Sequence, residues 1–540
     1  MKTKYVAEES NLLNDGWEKD YSNEKYIVSM SNNGTELKIK AEKIDKNISH
    51  MYAYYNSNKV KDMLIKQVKP LSTCQIALEG TVEGNLQIHL IIIGYNEKGS
   101  KILNETIGLD FYKNFQLPKN ISKLQMAFRI SGEGEASITC LKFKIFHVSD
   151  HLLSENLIHE NSLGDYLIIS NVYPEKNNLY RNMFVHRRAQ LYESSQVPMD
   201  IFRFTASEKN LRLYKFEGSM VINGDKGQLI NLLKMKKYKK ILIHFVNQEM
   251  IEAIEESGIN IPIIIWIHGV ETEKWYRRWF NFMGSSDQLL SALQNVEKNK
   301  KIVNFMRSLY QSQTLDVKFI FVSKWFKEAV AENDTNTVIN NYEIIHNVID
   351  ESIFSYVEKD IEQRKKILSI RPYASRKYAN DLTVKAILEL SKKPYFNELE
   401  FKLFGEGPLF NSTLEPIRKF DNVKIYNYFL SQDEIAKLHK ENGVFMCPTR
   451  LDSQGVSMCE AMSSGLIPIT NGVTAIPEFV DEKCGYLARK ENYMDMVDAV
   501  EDLYLNPEKF KQKSQNAALR MSNQCSKNIV IKQELDVITS

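Results

Sequence analysis

Two carboxylates, Asp452 and Glu460, stand eight positions apart in the run R-L-D-S-Q-G-V-S-M-C-E-A-M-S-S-G-L-I-P-I-T-N of residues 450–471. Apolar stretches at 444–448 and 466–470 flank it, so the pattern predicts strand, polar loop, helix and strand, with Gly465 ending the helix. Backbone N–H groups at such a helix start, around Gly455, Val456 and Ser457, favour an anion, and the helix dipole adds to the effect. The two acids are then left to accept hydrogen bonds from neutral hydroxyls, as on a sugar or a ribose. Amides for phosphate beside acids for hydroxyls imply a sugar-nucleotide pocket.

The cations that such a pocket needs occur earlier. In K-I-L-S-I-R-P-Y-A-S-R-K-Y-A-N-D-L, residues 366–382, a predicted strand is followed directly by Arg371, Arg376 and Lys377. Arginine suits a diphosphate through its planar fork and lysine as a compact charge. A solvated basic loop is the plain alternative, and the acidic motif downstream tips the balance against it. F-G-E-G-P at 404–408 places Gly405, Glu406 and Gly407 in a tight loop whose backbone could come close to a ligand. Tyr428, Phe429 and Leu430 either flank a nucleobase or fill the core, and S-Q-D-E at 431–434 reads as a capping box, a structural feature. His268 and Gly269 end a very apolar strand on the side where ligands of such sheets bind. Residues 271–316 are long for a loop and read as helical, opening with W-Y-R-R-W-F. Trp275 and Arg278 there suit a sugar-stacking acceptor site or an interfacial contact with lipid. The favoured alternative is an ordinary amphipathic helix packing Trp275 and Trp279, four apart, onto its own domain.

The elements that must position these residues follow from the whole chain. At 540 residues it calls for about two to four domains, and its 43% apolar content is that of a globular protein. A formal net charge of +2 gives no basis for nucleic-acid binding or for broad adhesion to a membrane. There is no run of 18 apolar residues and no apolar leader at the first residues, and the six cysteines show no CxxC or metal spacing. Free thiols and a cytoplasmic location are expected, with peripheral contact at the inner face of the membrane should the acceptor be lipid-linked.

Residues 1–150 carry short alternating strands and turn signals at 32–34, 83–85 and 131–134, which predicts an antiparallel β-sandwich. A polar linker is expected at 147–164. From 165 onward apolar strands alternate with helical stretches, which predicts parallel sheets covered on both faces. Two Rossmann-like domains, 165–350 and 360–520, are expected to face across a cleft, and residues 521–540 to form a helix crossing back to the first.

From about residue 166 the chain resembles the family-4 retaining glycosyltransferases of the GT-B fold. The E-x7-E signature of that family stands here as Asp452 and Glu460. The resemblance continues through G-V-S-M-C-E-A-M-S-S-G-L-I-P-I-T, A-I-P-E-F-V at 475–480, the Arg371–Lys377 loop, the G-E-G-P loop and H-N-V-I-D at 346–350. It implies that Glu460 binds ribose hydroxyls and Asp452 hydroxyls of the transferred sugar. The amides of Gly455, Val456 and Ser457 would face that sugar or the phosphates, Arg371 and Lys377 would hold the diphosphate, and His268 would lie by the donor sugar. No metal or other cofactor is implied, the two cations taking its place. Gly405, Glu406, Gly407, Arg376 and Tyr428 complete the expected donor site. The N-terminal region resembles, more loosely, jelly-roll modules attached to carbohydrate-active enzymes.

Two departures stand out. Aspartate replaces the first signature glutamate, and the loop at 171–182, often Gly-Gly in the family, has no glycine; Asn177, Asn178 and Tyr180 are its candidate ligands. The expected activity is retaining transfer of a hexosyl-type sugar from a nucleotide sugar, UDP-linked by preference, to a glycan, lipid-linked or protein acceptor in bacterial surface polysaccharide or glycoconjugate synthesis. The rival readings are a GT-B sugar-nucleotide epimerase and a non-catalytic sugar-nucleotide or glycan-binding protein. Homo-oligomerisation stays open.

Overall fold

A computed structural model describes residues 8–13, 17, 23, 25–33, 35–45, 48–55, 73–118, 120–146, 164–175, 182–208, 211–269, 271–282 and 284–540. Residues 147–163 of the expected linker, and Asn177, Asn178 and Tyr180, lie outside this set. The chain divides into two compact units, Met1–Ile241 with Glu249–Ile261, and Leu242–Gln248 with Pro262–Ser540.

The first unit opens with strands β1 (Glu8–Asn11), β2 (Tyr26–Asn32), β3 (Leu37–Lys43), β4 (Met51–Tyr54), β5 (Thr73–Gly84), β6 (Gln87–Asn96), β7 (Lys101–Gly108), β8 (Phe111–Gln116), β9 (Ile121–Ser131) and β10 (Gly134–Phe146). All their pairings are antiparallel. One sheet runs β4-β9-β6-β7, while β8-β5-β10-β3-β2 run in a second. Strict alternation explains the packing. In Y-I-V-S-M-S-N of β2, Tyr26, Val28 and Met30 are buried and the residues between them exposed. These side chains share a core with Leu90 and Phe128 of the other sheet, and Trp17 stacks on Phe128. Two layers over one core is the arrangement expected for residues 1–150.

The same unit continues with β11 (Tyr166–Ser170), β12 (Met199–Phe204), β13 (Arg212–Phe216) and β14 (Ser219–Gly224). β11, β12 and β14 run parallel, and β13 folds back antiparallel on β14. β13 also pairs with β8, Leu213 opposite Tyr112 and Tyr214 opposite Phe111. The β8-β5-β10-β3-β2 strands and the β11–β14 strands are therefore one continuous sheet.

β15 (Lys240–His244) straddles the division, and in the second unit it leads to β16 (Ile263–Ile267), β17 (Val317–Phe321) and β18 (Tyr342–Ile344). β16, β17 and β18 are parallel, and I-I-I-W-I of β16 is buried throughout, as a strand covered on both faces requires. The insertion between β16 and β17 starts as a 3-10 helix, Trp275–Asn281, and continues in helices Ser286–Gln294 and Val296–Tyr310. The expected α-helical spacing of Trp275 and Trp279 does not hold, because a 3-10 turn has about three residues.

The unit is completed by a six-stranded parallel sheet in the order β21-β20-β19-β22-β23-β24. Its strands are β19 (Lys366–Ile370), β20 (Glu400–Phe404), β21 (Val423–Tyr426), β22 (Val444–Met446), β23 (Ile467–Asn471) and β24 (Tyr486–Ala488). One face packs helices Asn380–Leu390 and Met494–Leu505; the other packs Val456–Ser463 and part of Pro507–Gln524. Strand order reverses direction between β19 and β22, and a ligand of such a sheet binds at that point beyond the strand ends. Helix Gln432–Glu441 starts with the expected capping box, Ser431 and Glu434 bonding reciprocally. The chain ends in helix Lys527–Thr539, separated from Pro507–Gln524 at Cys525, whose carbonyl accepts from Ile349 N–H.

Candidate active site

Arg371 follows β19 and is 4% exposed. Its Nη1 donates to Ser457 Oγ at 3.1 Å and its Nη2 to the Pro448 carbonyl at 3.3 Å, while Nε is buried without a partner. The guanidinium lies 4.9 Å from the Tyr378 ring centroid, and Lys377 Nζ lies 5.4 Å from the same ring. Neither cation has a carboxylate partner among the described residues. Two positive charges are thus gathered on one aromatic ring and left without counter-ions. Tyr378, which holds them together, gave no sequence signal beyond its adjacency to Lys377.

The loop after β22 meets them. Asp452 Oδ1 accepts from Gly455 N–H at 3.0 Å and, more weakly, from Gln454 N–H at 3.4 Å, turning the chain into helix Val456–Ser463. This bond closes a local turn of the kind Asp favours. One oxygen of Asp452 is therefore engaged in shaping the loop. Gly455 caps the helix at φ 83°. The first helical bond runs from Cys459 N–H to the Gly455 carbonyl. The N–H groups of Val456, Ser457 and Met458 precede it at the positive end of the helix, beside the Arg371 guanidinium.

One turn into that helix is Glu460. Its carboxylate makes no hydrogen bond or ion pair among the described residues, and burial alone pushes its pKa up to about 8. An acid held in this way is stabilised by any ligand that supplies hydroxyl donors.

His268 lies at the end of β16. Its Nε2 is 2.9 Å from Nδ1 of His244, the rings stacked at 5.2 Å, and Ser453 Oγ donates to its carbonyl at 3.3 Å. His268 is thus brought against the Asp452 loop, as its place in the sequence suggests. Sharing one proton between the facing nitrogens requires that both rings are not charged at once. Glu271 fixes the turn below, accepting from His268 N–H at 3.2 Å and Gly269 N–H at 2.8 Å, and its burial raises its pKa to about 7. His244 and Glu271 are further site residues that the sequence did not single out; both precede or follow strand ends at places where any polar residue occurs.

The G-E-G loop, the residues of the insertion and Tyr428 each have partners of their own. At Gly405 and Gly407, φ is 150° and 143°, and a Cβ would collide with the Arg371 carbonyl and with Tyr373. The close approach of the G-E-G loop is therefore to the Arg371–Tyr373 backbone, tied by Tyr373 N–H to the Glu406 carbonyl at 2.8 Å, and the glycines serve the packing of that loop. Trp279 is not packed onto its own domain in the expected manner: Lys490 Nζ lies 5.3 Å over its ring, and it lines a cavity with Arg376. Arg278 is occupied by Glu273 at 2.8 Å, and Trp275 packs on Tyr276 and Phe282. Tyr428 is 43% exposed and edge-on to Phe404, while Leu430 is buried.

Motif and fold are also joined by residues of A-I-P-E-F-V. Glu478 accepts from the N–H groups of Lys324 and Trp325 at 3.0 and 2.6 Å, capping the helix that follows β17. Gln454 bonds Asn347 through both its amide atoms. Among the described residues no group of three or more His, Cys, Asp or Glu side chains is arranged to hold a metal ion, and no helix is long and apolar enough to cross a membrane.

Residues 364–506 match the family model of the glycosyl transferases group 1. No curated protein matches the chain in sequence. Among solved structures, the sucrose-phosphate synthase of Thermosynechococcus elongatus superposes with TM-score 0.50 at 12% identity, over 69% of this chain and 98% of that one. HepE of Anabaena, solved with UDP and glucose, gives TM-score 0.49 at 10% identity over 69% and 99%. A point mutant of S. aureus TarM, solved with fondaparinux, α-GlcNAc-glycerol and UDP, gives 0.44 at 12% identity over 98% and 81%. The fold is GT-B, two Rossmann-like domains preceded by an antiparallel β region. The match of residues 364–506 to the glycosyl transferases group 1 supports a glycosyltransferase.

Proposed function

We propose that the chain is a retaining glycosyltransferase that moves a hexosyl-type sugar from a UDP-sugar to a glycan, lipid-linked or protein acceptor in surface polysaccharide or glycoconjugate synthesis. The observation that carries this reading is the pair Arg371 and Lys377, kept free of carboxylates beside the open N–H groups of helix Val456–Ser463. A diphosphate fits that cluster of donors, and Glu460 lies one helical turn away to take the ribose hydroxyls. Residues 1–150, 165–350 and 360–520 would be the accessory, acceptor-side and donor domains, with 521–540 crossing back.

The chemistry follows from charge. As the C1–O bond to the diphosphate breaks, positive character grows on the sugar and negative charge on the leaving oxygen, which Arg371, Lys377 and the helix N-terminus would stabilise. Fixed donors aimed at developing charge lower the barrier without reorganising. The acceptor oxygen would form its bond to C1 on the same face and pass its proton to the departing phosphate, which retains configuration. Asp452, through the oxygen that does not accept from Gly455, and His268 would hold hydroxyls of the transferred sugar. The cations do the work for which other transferases use a metal, so activity would need none. Peripheral contact with the cytoplasmic face of a membrane is reserved for the case of a lipid-linked acceptor.

The test is turnover of UDP-sugars with a panel of acceptors, read as UDP release. Arg371→Ala and Lys377→Ala should each lower kcat by about 100-fold or more. Full activity of both variants would end the assignment, and conversion of a sugar nucleotide without acceptor would favour an epimerase.

A further inference from the structure

A second site lies in the same unit, behind the loop that carries Arg371 and Lys377. It is a cavity of about 590 Å³, within the range of small-ligand pockets. Trp279 and Phe280 of the insertion form one wall, and Val384, Leu388 and Leu409 form another. Its polar lining is incomplete in hydrogen bonding. Tyr373 is 2% exposed, yet its hydroxyl has no partner among the described residues. Asn380 lines the cavity too, and its Oδ1 is a buried acceptor with no partner. The Asn380 oxygen is closed off from the cavity, and the Tyr373 hydroxyl is the group left for an occupant to bond.

Charge narrows the occupant. Arg450 reaches the cavity but is held by Asp381 at 2.8 Å and Glu491 at 2.7 Å, so it has no charge to spare. Arg376 packs over Gly284 and has no carboxylate partner among the described residues. Lys490 stands over the Trp279 ring without an ion-pair partner among them. The cavity thus combines a tryptophan, an apolar wall, an unbonded hydroxyl and one unneutralised cation, Arg376, with Lys490 next to it over the Trp279 ring. A purely apolar ligand would leave the hydroxyl unbonded, and a bare anion would leave the aromatic wall without contact. A ring with an apolar face, hydroxyls at its edge and a negative substituent satisfies all of them.

We propose that this cavity binds an anionic sugar unit of the acceptor glycan, stacked on Trp279, bonded by Tyr373 and charge-paired with Arg376 and Lys490. The proposal rests on the glycosyl-transfer reading and adds the acceptor's chemistry to it. It also links the two sites, because residues 373–376 line the cavity while Arg371 and Lys377 bracket the same loop, and Ser375 Oγ donates to Asn281 of the insertion at 2.6 Å. An occupied cavity would brace the loop that holds the diphosphate.

The test is calorimetric binding to the full chain of four probes in parallel: hyaluronan tetrasaccharide for a carboxylate, glucose 6-phosphate for a phosphate, uncharged maltotetraose, and inorganic phosphate. UDP is titrated separately. One of the two anionic sugars should bind at least tenfold more tightly than maltotetraose and phosphate, and which one does so identifies the charged group. Trp279→Ala, and separately Thr413→Trp, which puts a large ring at another lining position, should each weaken that binding tenfold or more and leave UDP affinity unchanged. Failure of both anionic sugars to bind while UDP binds, equal binding of phosphate alone, or unchanged affinity in both variants would overturn the proposal. Sugar binding without UDP binding would instead remove the donor-site reading and leave the cavity standing.

Discussion

Arg371 and Arg450 leave adjacent strands of one sheet, and their surroundings are opposite. Arg450 meets two carboxylates in parallel forks, Asp381 through Nη1 and Nη2 and Glu491 through Nε and Nη2, all at 2.7–2.8 Å. Its Nη1 and its backbone N–H also tie down the carbonyls of Arg376 and Lys377. Arg371, more deeply buried, meets a hydroxyl, a carbonyl and an aromatic face, and one of its nitrogens meets nothing. A guanidinium in a protein interior is costly unless charge is brought to it. The first arginine therefore is kept short of negative charge that a ligand would supply, and the second holds the loop in place.

The comparison breaks first at activity. Arg371→Ala should cost about 100-fold or more in kcat with little change in Tm, whereas Arg450→Ala should cost less than tenfold. Equal losses in the two variants would show that loop order, not charge, sets the rate. Next in size, Glu460→Ala should weaken UDP binding by about 10- to 100-fold, the worth of hydrogen bonds to an ionised group; titration calorimetry with unchanged affinity would remove Glu460 from the nucleotide site. On stability the two arginines exchange rank. Arg450→Ala should lower unfolding free energy by about 2 kcal/mol, moderated because both acids are partly exposed, and denaturant melts of the two variants measure the difference directly.

The smallest effect is a proton. Glu460 has its pKa raised from 4.5 to about 8 in the folded chain. A raised carboxyl adds stability fully present below pH 4.5 and lost as pH climbs toward 8. Glu460→Gln should therefore flatten the fall of Tm across that window. Hydroxyl donors from a ribose favour the ionised form, so UDP binding near pH 7 should release a fraction of one proton, seen as a buffer-dependent binding enthalpy. Buffer-independent enthalpy would mean that the carboxyl keeps its proton with ligand bound.

How much of this was readable from sequence depends on range. The loop after β22 was legible because Asp452, Gly455 and Glu460 act within three helical turns of one another, where spacing dictates geometry. His268 was legible because an apolar strand ends at it. The partners of Arg450 were not, since Asp381 and Glu491 lie 69 and 41 residues away and nothing local marks either. Trp279 was misjudged because a spacing of four implies one face only in an α-helix, and the segment is 3-10. The G-E-G glycines were visible, but their reason was not: the backbone they admit comes from the neighbouring strand's loop. The hairpin of β13 and β14 escaped notice, as did its pairing with β8, because edge-to-edge joining of distant strands leaves no periodic trace.

That last junction bears on any attempt to dissect the molecule. β13 is hydrogen-bonded on one side to β14 and on the other to β8. Removing residues 1–150 would not shed a tethered module; it would uncover Arg212, Leu213 and Tyr214 of β13 as a raw sheet margin, ready to recruit the same margin on another molecule. Such a truncated chain should pass through a sizing column as oligomers or be lost to aggregates, and a well-behaved monomer would show that β13 finds another cover. The antiparallel region is in this sense a seal as well as an appendage, and its boundary is drawn by hydrogen bonds, not by a stretch of chain.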